Sequence, residues 1–263
     1  MLYKQFYSGR HIHQAKHNNM NIFLAEFIGT GVMILLGCGV VANVVLEKTK
    51  GNNGGWIVIT TAWALAVFIG VVIAGPVSGA HLNPAVTLAN ILLGKMTVSL
   101  ALWYVTAQFL GSATGSFLVW VMYKKHFDAT SASDLKQAVF CTAPNIYHIP
   151  SNFLSEMIGT MVLIFTILSF TDVKVNNEAT VGMGSLGAIP VALLVWVIGL
   201  SLGGTTGYAI NPVRDLAPRI VHALLPIKNK AHFNIRYAWI PILAPLTGAT
   251  LAALLFKLFQ HSN

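Results

Sequence analysis

Forty-four consecutive residues, Gly51–Gly94, contain no Asp, Glu, Lys or Arg, and the thirty-five of Ala179–Val213 contain none either. Each run is too long for one bilayer crossing, which takes about 20 mostly apolar residues. A soluble chain carries about 25% charged residues. This chain of 263 residues carries 9%, against 55% hydrophobic ones, too few to solvate a surface. The sequence predicts an all-α membrane protein.

Six spans follow from length and apolarity: Ile22–Leu46, Trp56–Gly75, Val98–Tyr123, Phe153–Phe170, Met183–Leu202 and Tyr237–Phe256. An even count puts both tails on one side. The two long uncharged runs hold something more, and each ends at or near an Asn-Pro pair, Asn83-Pro84-Ala85 or Asn211-Pro212-Val213. Proline fits the first turn of a helix, where its missing N–H costs nothing, and asparagine fits the N-cap before it. A short re-entrant helix is therefore expected to start at each motif.

The halves repeat. "AEFIGTGVMIL" (Ala25–Leu35) opens the first and "SEMIGTMVLIF" (Ser155–Phe165) the second, while the Asn-Pro pairs stand 128 residues apart. Three spans per half invert the second half relative to the first. Inverted repeats with broken helices bring the half-helix N-termini together near the midplane, where irregular backbone survives only beside a polar cavity or inside protein. A pore or binding site is expected there. The expected domain plan is a polar tail over 1–20 and one channel domain over 21–258, with repeats over about 21–123 and 152–258.

These motifs, "SGAHLNPAVT" above all, resemble the major intrinsic protein family of aquaporins and glycerol facilitators, over the chain from Asn21 to about Lys257. Asp215 directly after Arg214, and Pro241-Ile242 in the last span, resemble the glycerol-facilitator branch. The second motif departs from the family in having Val213 where alanine is usual, which adds bulk where the half-helices abut. The resemblance implies six spans and two half-helices in an aquaporin-like 3+3 repeat. It also implies passive conduction of glycerol, other small uncharged solutes and some water, with ions and protons excluded.

By position relative to the motifs, the resemblance places an outer constriction at Trp63, Gly199, Tyr208 and Arg214. Bacterial glycerol facilitators typically have Trp, Gly, Phe and Arg there, so this chain differs by the Tyr208 hydroxyl. Arg214 is expected to line the pore, since an intramembrane charge needs a cavity or a partner and its five donors suit adjacent hydroxyls. Trp63 and Tyr208 would form an apolar wall, and Gly199 would leave room for a solute larger than water. Asn83 and Asn211 are expected to cap the half-helices and turn amide N–H groups to the lumen, where the positive dipole ends meet. His81 is either a pore-side or a packing histidine. Glu26 and Glu156 are expected to brace the motif loops, with Gln108 in a similar part. Asp215 is expected to hold Arg214 or a loop in place without touching the solute.

Other classes fit less well. No phosphate-binding loop, nucleophile constellation or metal cluster is visible, so no enzyme, cofactor or metal is expected. The net charge of +8 falls in tails and loops with no basic stripe interleaved with aromatics, which argues for lipid headgroups over nucleic acid. Two cysteines, Cys38 and Cys141, say little; Cys38, in an apolar run, reads as a small buried hydrophobe. The rivals are a water-selective aquaporin, disfavoured by Gly199 and Asp215, and a secondary active transporter coupled through Glu26 or Glu156. A structural junction without flux is a third. The resemblance adds a homotetramer with one pore per subunit, in the plasma membrane with cytoplasmic termini. Charge does not support that orientation. The tail side would hold Lys4, Arg10, Lys16, Lys95, Lys174 and Lys257, six of the sixteen Lys and Arg, the reverse of the usual positive-inside bias.

Overall fold

A computed structural model describes residues 19–171, 173–175 and 179–261. Six of its helical segments are long and apolar enough to cross a membrane: Asn19–Val45, Trp56–Ser78, Val98–Ala129, Ile149–Ser169, Gly184–Leu202 and Ile235–Gln260. All six expected spans are there. In chain order the elements are α1 (Asn19–Val45), α2 (Trp56–Ser78), α3 (Pro84–Leu92), α4 (Val98–Ala129) and α5 (Ser133–Ala138), then α6 (Ile149–Ser169). A two-residue strand pair follows, β1 (Lys174–Val175) antiparallel to β2 (Ala179–Thr180). A 3-10 turn over Gly184–Ala188 leads into α7 (Ile189–Leu202), and α8 (Pro212–Leu224), α9 (Ile235–Ala238) and α10 (Ile240–His261) complete the chain.

Several span boundaries differ from expectation, among them the end of the third span and the start of the first. The helix expected to end at Tyr123 runs on to Ala129, because Lys124, Lys125 and His126 lose only apolarity and not helix propensity where the hydrocarbon ends. The tail's last residues, Asn19 and Met20, already belong to α1. The rest of the 1–20 tail, with His11, His13 and His17, lies outside the described residues.

The half-helices are α3 and α8. At 1.5 Å per residue they reach about 14 and 20 Å, roughly half a bilayer. Each packs against a long helix of the other repeat as well as its own: α3 against α10, and α8 against α4. The two halves therefore interlock. The long helices within each half pack through glycine. A Cβ at Gly111 of α4 would stand 3.1 Å from the Gly31 nitrogen of α1, and one at Gly248 of α10 would stand 3.1 Å from the Met157 carbonyl carbon of α6. Elsewhere the outer faces are apolar, as at Leu102, Met122, Leu193 and Leu254.

Candidate functional site

The two motif loops are built on one plan. Ala80 and Leu82 both have φ of 52°, and their counterparts 128 residues on, Tyr208 and Ile210, have φ of 40° and 44°. Left-handed backbone is unfavourable for residues with a Cβ, so something must hold it. Glu26 does so in the first half, accepting from the Ser78 hydroxyl at 2.6 Å, the His81 N–H at 2.9 Å and the Leu82 N–H at 2.8 Å. Glu156 does the same in the second, accepting from Thr206 at 2.7 Å, the Ala209 N–H at 3.0 Å and the Ile210 N–H at 2.9 Å. Gln108 donates to Glu26 at 2.8 Å. Both carboxylates are fully buried, with their oxygens occupied and off the cavity wall. A carboxylate committed to three or four donors is a strut. A coupling site would leave it free to meet a proton or ion.

Asn83 caps α3, its side-chain oxygen accepting from the Ala85 N–H at 2.8 Å; Asn211 caps α8, accepting from the Val213 N–H at 3.2 Å. Each amide nitrogen then reaches across: Asn83 donates to the Ile210 carbonyl and Asn211 to the Leu82 carbonyl, both at 2.9 Å. One of each amide's two hydrogens is thus committed to the opposite loop, and both residues line the cavity. Pro84, Ala85, Pro212 and Val213 lie behind it, all buried. Val213 offers its carbonyl to the Ser112 hydroxyl at 2.8 Å, and its side chain does not line the lumen.

The cavity runs from His81 and Ala80 past both asparagines to Trp63, Tyr208 and Arg214. One side is apolar, with Met33, Val67, Val71, Leu163, Ile167, Val191 and Val195; the motif loops supply the polar strip. At one end the Arg214 guanidinium lies over the Trp63 ring, 4.1 Å from its centroid. Among the described residues no group accepts a hydrogen bond from that guanidinium, and the Trp63 indole N–H and Tyr208 hydroxyl are buried without partners. Gly199 is placed otherwise than expected. It does not line the cavity, because the Tyr208 ring lies over it: a Cβ there would stand 2.8 Å from Tyr208 Cζ and 3.0 Å from its hydroxyl oxygen. The absent side chain houses a ring and leaves no gap for solute.

His81 is both at the cavity and hydrogen-bonded within the protein. It lines the cavity, its Nδ1 is 3.1 Å from the Thr87 hydroxyl, and its ring packs 4.5 Å from that of Tyr104. Asp215 is fully buried off the lumen, and its partner is Arg219, not Arg214. Arg219 Nε meets Asp215 Oδ1 at 2.7 Å, and its other nitrogens donate to the Thr142 carbonyl at 2.7 Å and the Phe233 carbonyl at 3.1 Å. Asp215 also accepts from the Thr142 N–H at 2.8 Å and hydroxyl at 2.7 Å. This pair ties α8 to two loops. Sequence reasoning missed Arg219, Thr142 and Ser78; the one legible signal was the i,i+4 spacing of Asp215 and Arg219. Cys38 and Cys141 are free and buried.

Residues 13–256 match the sequence profile of the major intrinsic protein family. The chain is 48% identical over 238 residues to a protein of Thermotoga maritima named probable glycerol uptake facilitator protein, covering 90% of this chain and 99% of that one. It is also 48% identical over 240 residues to the glycerol uptake facilitator protein of Streptococcus pneumoniae, covering 91% of this chain and all of that one. Among solved structures it resembles the aquaglyceroporin from Plasmodium falciparum, with a TM-score of 0.79, 31% identity, and 91% and 96% of the two chains covered.

Proposed function

The chain belongs to the major intrinsic protein family, and from that premise we propose that its constriction selects glycerol and other small uncharged solutes by pairing one charged wall with an aromatic one. It is a multi-pass membrane channel and not an enzyme, and glycerol is the solute its relatives' names point to. The observation that carries the reading of the site is the position of Arg214: a guanidinium with no acceptor among the described residues, against Trp63 at the end of a cavity with one apolar side. A polyol has hydroxyls along one edge and carbons along the other. Its hydroxyls would take hydrogen bonds from Arg214 and its carbons would lie against Trp63 and Tyr208.

The same arginine and the two half-helix N-termini disfavour cations and protons, the barrier common to aquaporin-type channels. Asn83, Asn211 and His81 would offer polar contacts along the way. Glu26, Glu156, Asp215 and Gly199 act at one remove, holding the loops and the Tyr208 ring. Residues 21–258 would act as one channel domain, its apolar outer faces covered by lipid and by neighbouring copies in a homotetramer. We place it in the plasma membrane with both termini cytoplasmic, as the family resemblance implies.

Stopped-flow light scattering on proteoliposomes tests this. A glycerol gradient should produce rapid shrinkage and then fast re-swelling, with no dependence on a proton gradient. Water efflux without re-swelling would make it a water channel; accumulation driven by protons would make it a coupled transporter.

A further inference from the structure

The two aromatic walls of the constriction rest on glycine backbone, and only one of those seats lies near the ring's own chain segment. Tyr208 lies over Gly199 and Gly203, where an added Cβ would stand 2.8 Å from its Cζ and 2.5 Å from its Cδ1 respectively. Trp63 lies over Gly37 of α1. A Cβ there would stand 2.5 Å from Trp63 Cε3 and closer still to Cζ3 and Cη2. Three consecutive ring atoms at nearly equal distance put Gly37 against the face of the indole, and Arg214 flanks the same ring at 4.1 Å. Trp63 is 4% exposed and lines the cavity. A methyl on the α1 side therefore cannot be accommodated unless the indole, which stands at the cavity beside Arg214, moves.

We propose that Gly37 is a positioning residue for solute specificity: its bare backbone seats the Trp63 indole and so sets how far that ring, with Arg214 against it, reaches into the cavity. The inference rests on reading Trp63 and Arg214 as the solute filter. Gly37 touches no solute and acts only through Trp63. Solutes as wide as a three-carbon polyol depend on the seat, and single-file water depends on it much less.

The test is a double-mutant cycle in proteoliposomes, with glycerol and water permeability measured on the same vesicles. Gly37→Ala should lower glycerol permeability about tenfold or more while water permeability changes less than about threefold. In a Trp63→Leu background, where the ring atoms that the methyl would strike are gone, Gly37→Ala should leave glycerol permeability unchanged. An equal loss in both backgrounds would make Gly37 a packing residue of α1 and overturn the proposal, as would full glycerol flux through Gly37→Ala alone. If the unsubstituted protein passes water and no glycerol, the filter reading itself fails, which is a different result from either.

Discussion

Asn83 donates its side-chain amide to the Ile210 carbonyl at 2.9 Å while its side-chain oxygen caps α3. One side chain thus terminates a helix of the first repeat and satisfies a buried, left-handed residue of the second. Asn211 and Leu82 return the same bond. The midplane is held by a reciprocal pair that neither repeat could form alone.

Asn83→Ala should remove both functions. A lost cap costs about 0.5–2 kcal/mol, and a buried carbonyl left without a donor about 1–3 kcal/mol, so a combined loss of about 2–4 kcal/mol is expected in detergent unfolding. Asn83→Asp keeps the capping oxygen and loses the donor. It should fall between the two; stability equal to the parent protein would show that the cross-motif bond contributes nothing.

Arg219→Met should destabilise by about 3–5 kcal/mol, because it leaves Asp215 charged and buried. Replacing both partners of a buried ion pair is often neutral, but here each also serves loop backbone at Thr142 and Phe233. Asp215→Leu combined with Arg219→Met should therefore recover only part of the loss. Full recovery in thermal unfolding would mean that the loop contacts carry no weight.

Tyr208→Phe deletes a buried hydroxyl that has no partner among the described residues. Stability should stay the same or rise by up to about 1 kcal/mol, since an unsatisfied polar group is a cost. If a solute hydroxyl is the missing partner, the glycerol-to-water permeability ratio should change at least about twofold. An unchanged ratio would retire that role for the hydroxyl.

Acid should loosen the loop after α1. Glu47 accepts from the Ser131 N–H at 3.0 Å and hydroxyl at 3.1 Å, and these bonds hold its carboxyl below its ordinary value of 4.5. A depressed folded value means that the contribution is complete above the ordinary value and disappears as pH falls through the lower, folded one. Hydrogen exchange over residues 46–55 should be flat from pH 7 to 5, after correction for intrinsic rates, and rise only in stronger acid. Glu47→Gln should abolish that acid step; an identical step in the variant would assign it to another group.

Much of this protein was legible in its sequence because the relevant physics is local. Bilayer crossing depends on twenty consecutive side chains, and a half-helix start depends on an asparagine followed by a proline, so α1, α2, α3, α8 and the inverted repeat could be read directly. For Glu26 and Glu156 the repeat showed matched positions, and the expectation that they brace the loops came from the family resemblance. Tertiary structure alone decided the rest, since the outcome depended on which helix faces meet. Asp215 had two arginines within four residues, and only the approach of the Thr142 and Phe233 loops selected Arg219. Gly199 looked like an opening until the Tyr208 ring came to lie on it, and Gly37 resembled any other helix glycine until Trp63 did the same. A residue without a side chain carries no mark of what will fill its space, because the filling atoms come from elsewhere in the chain.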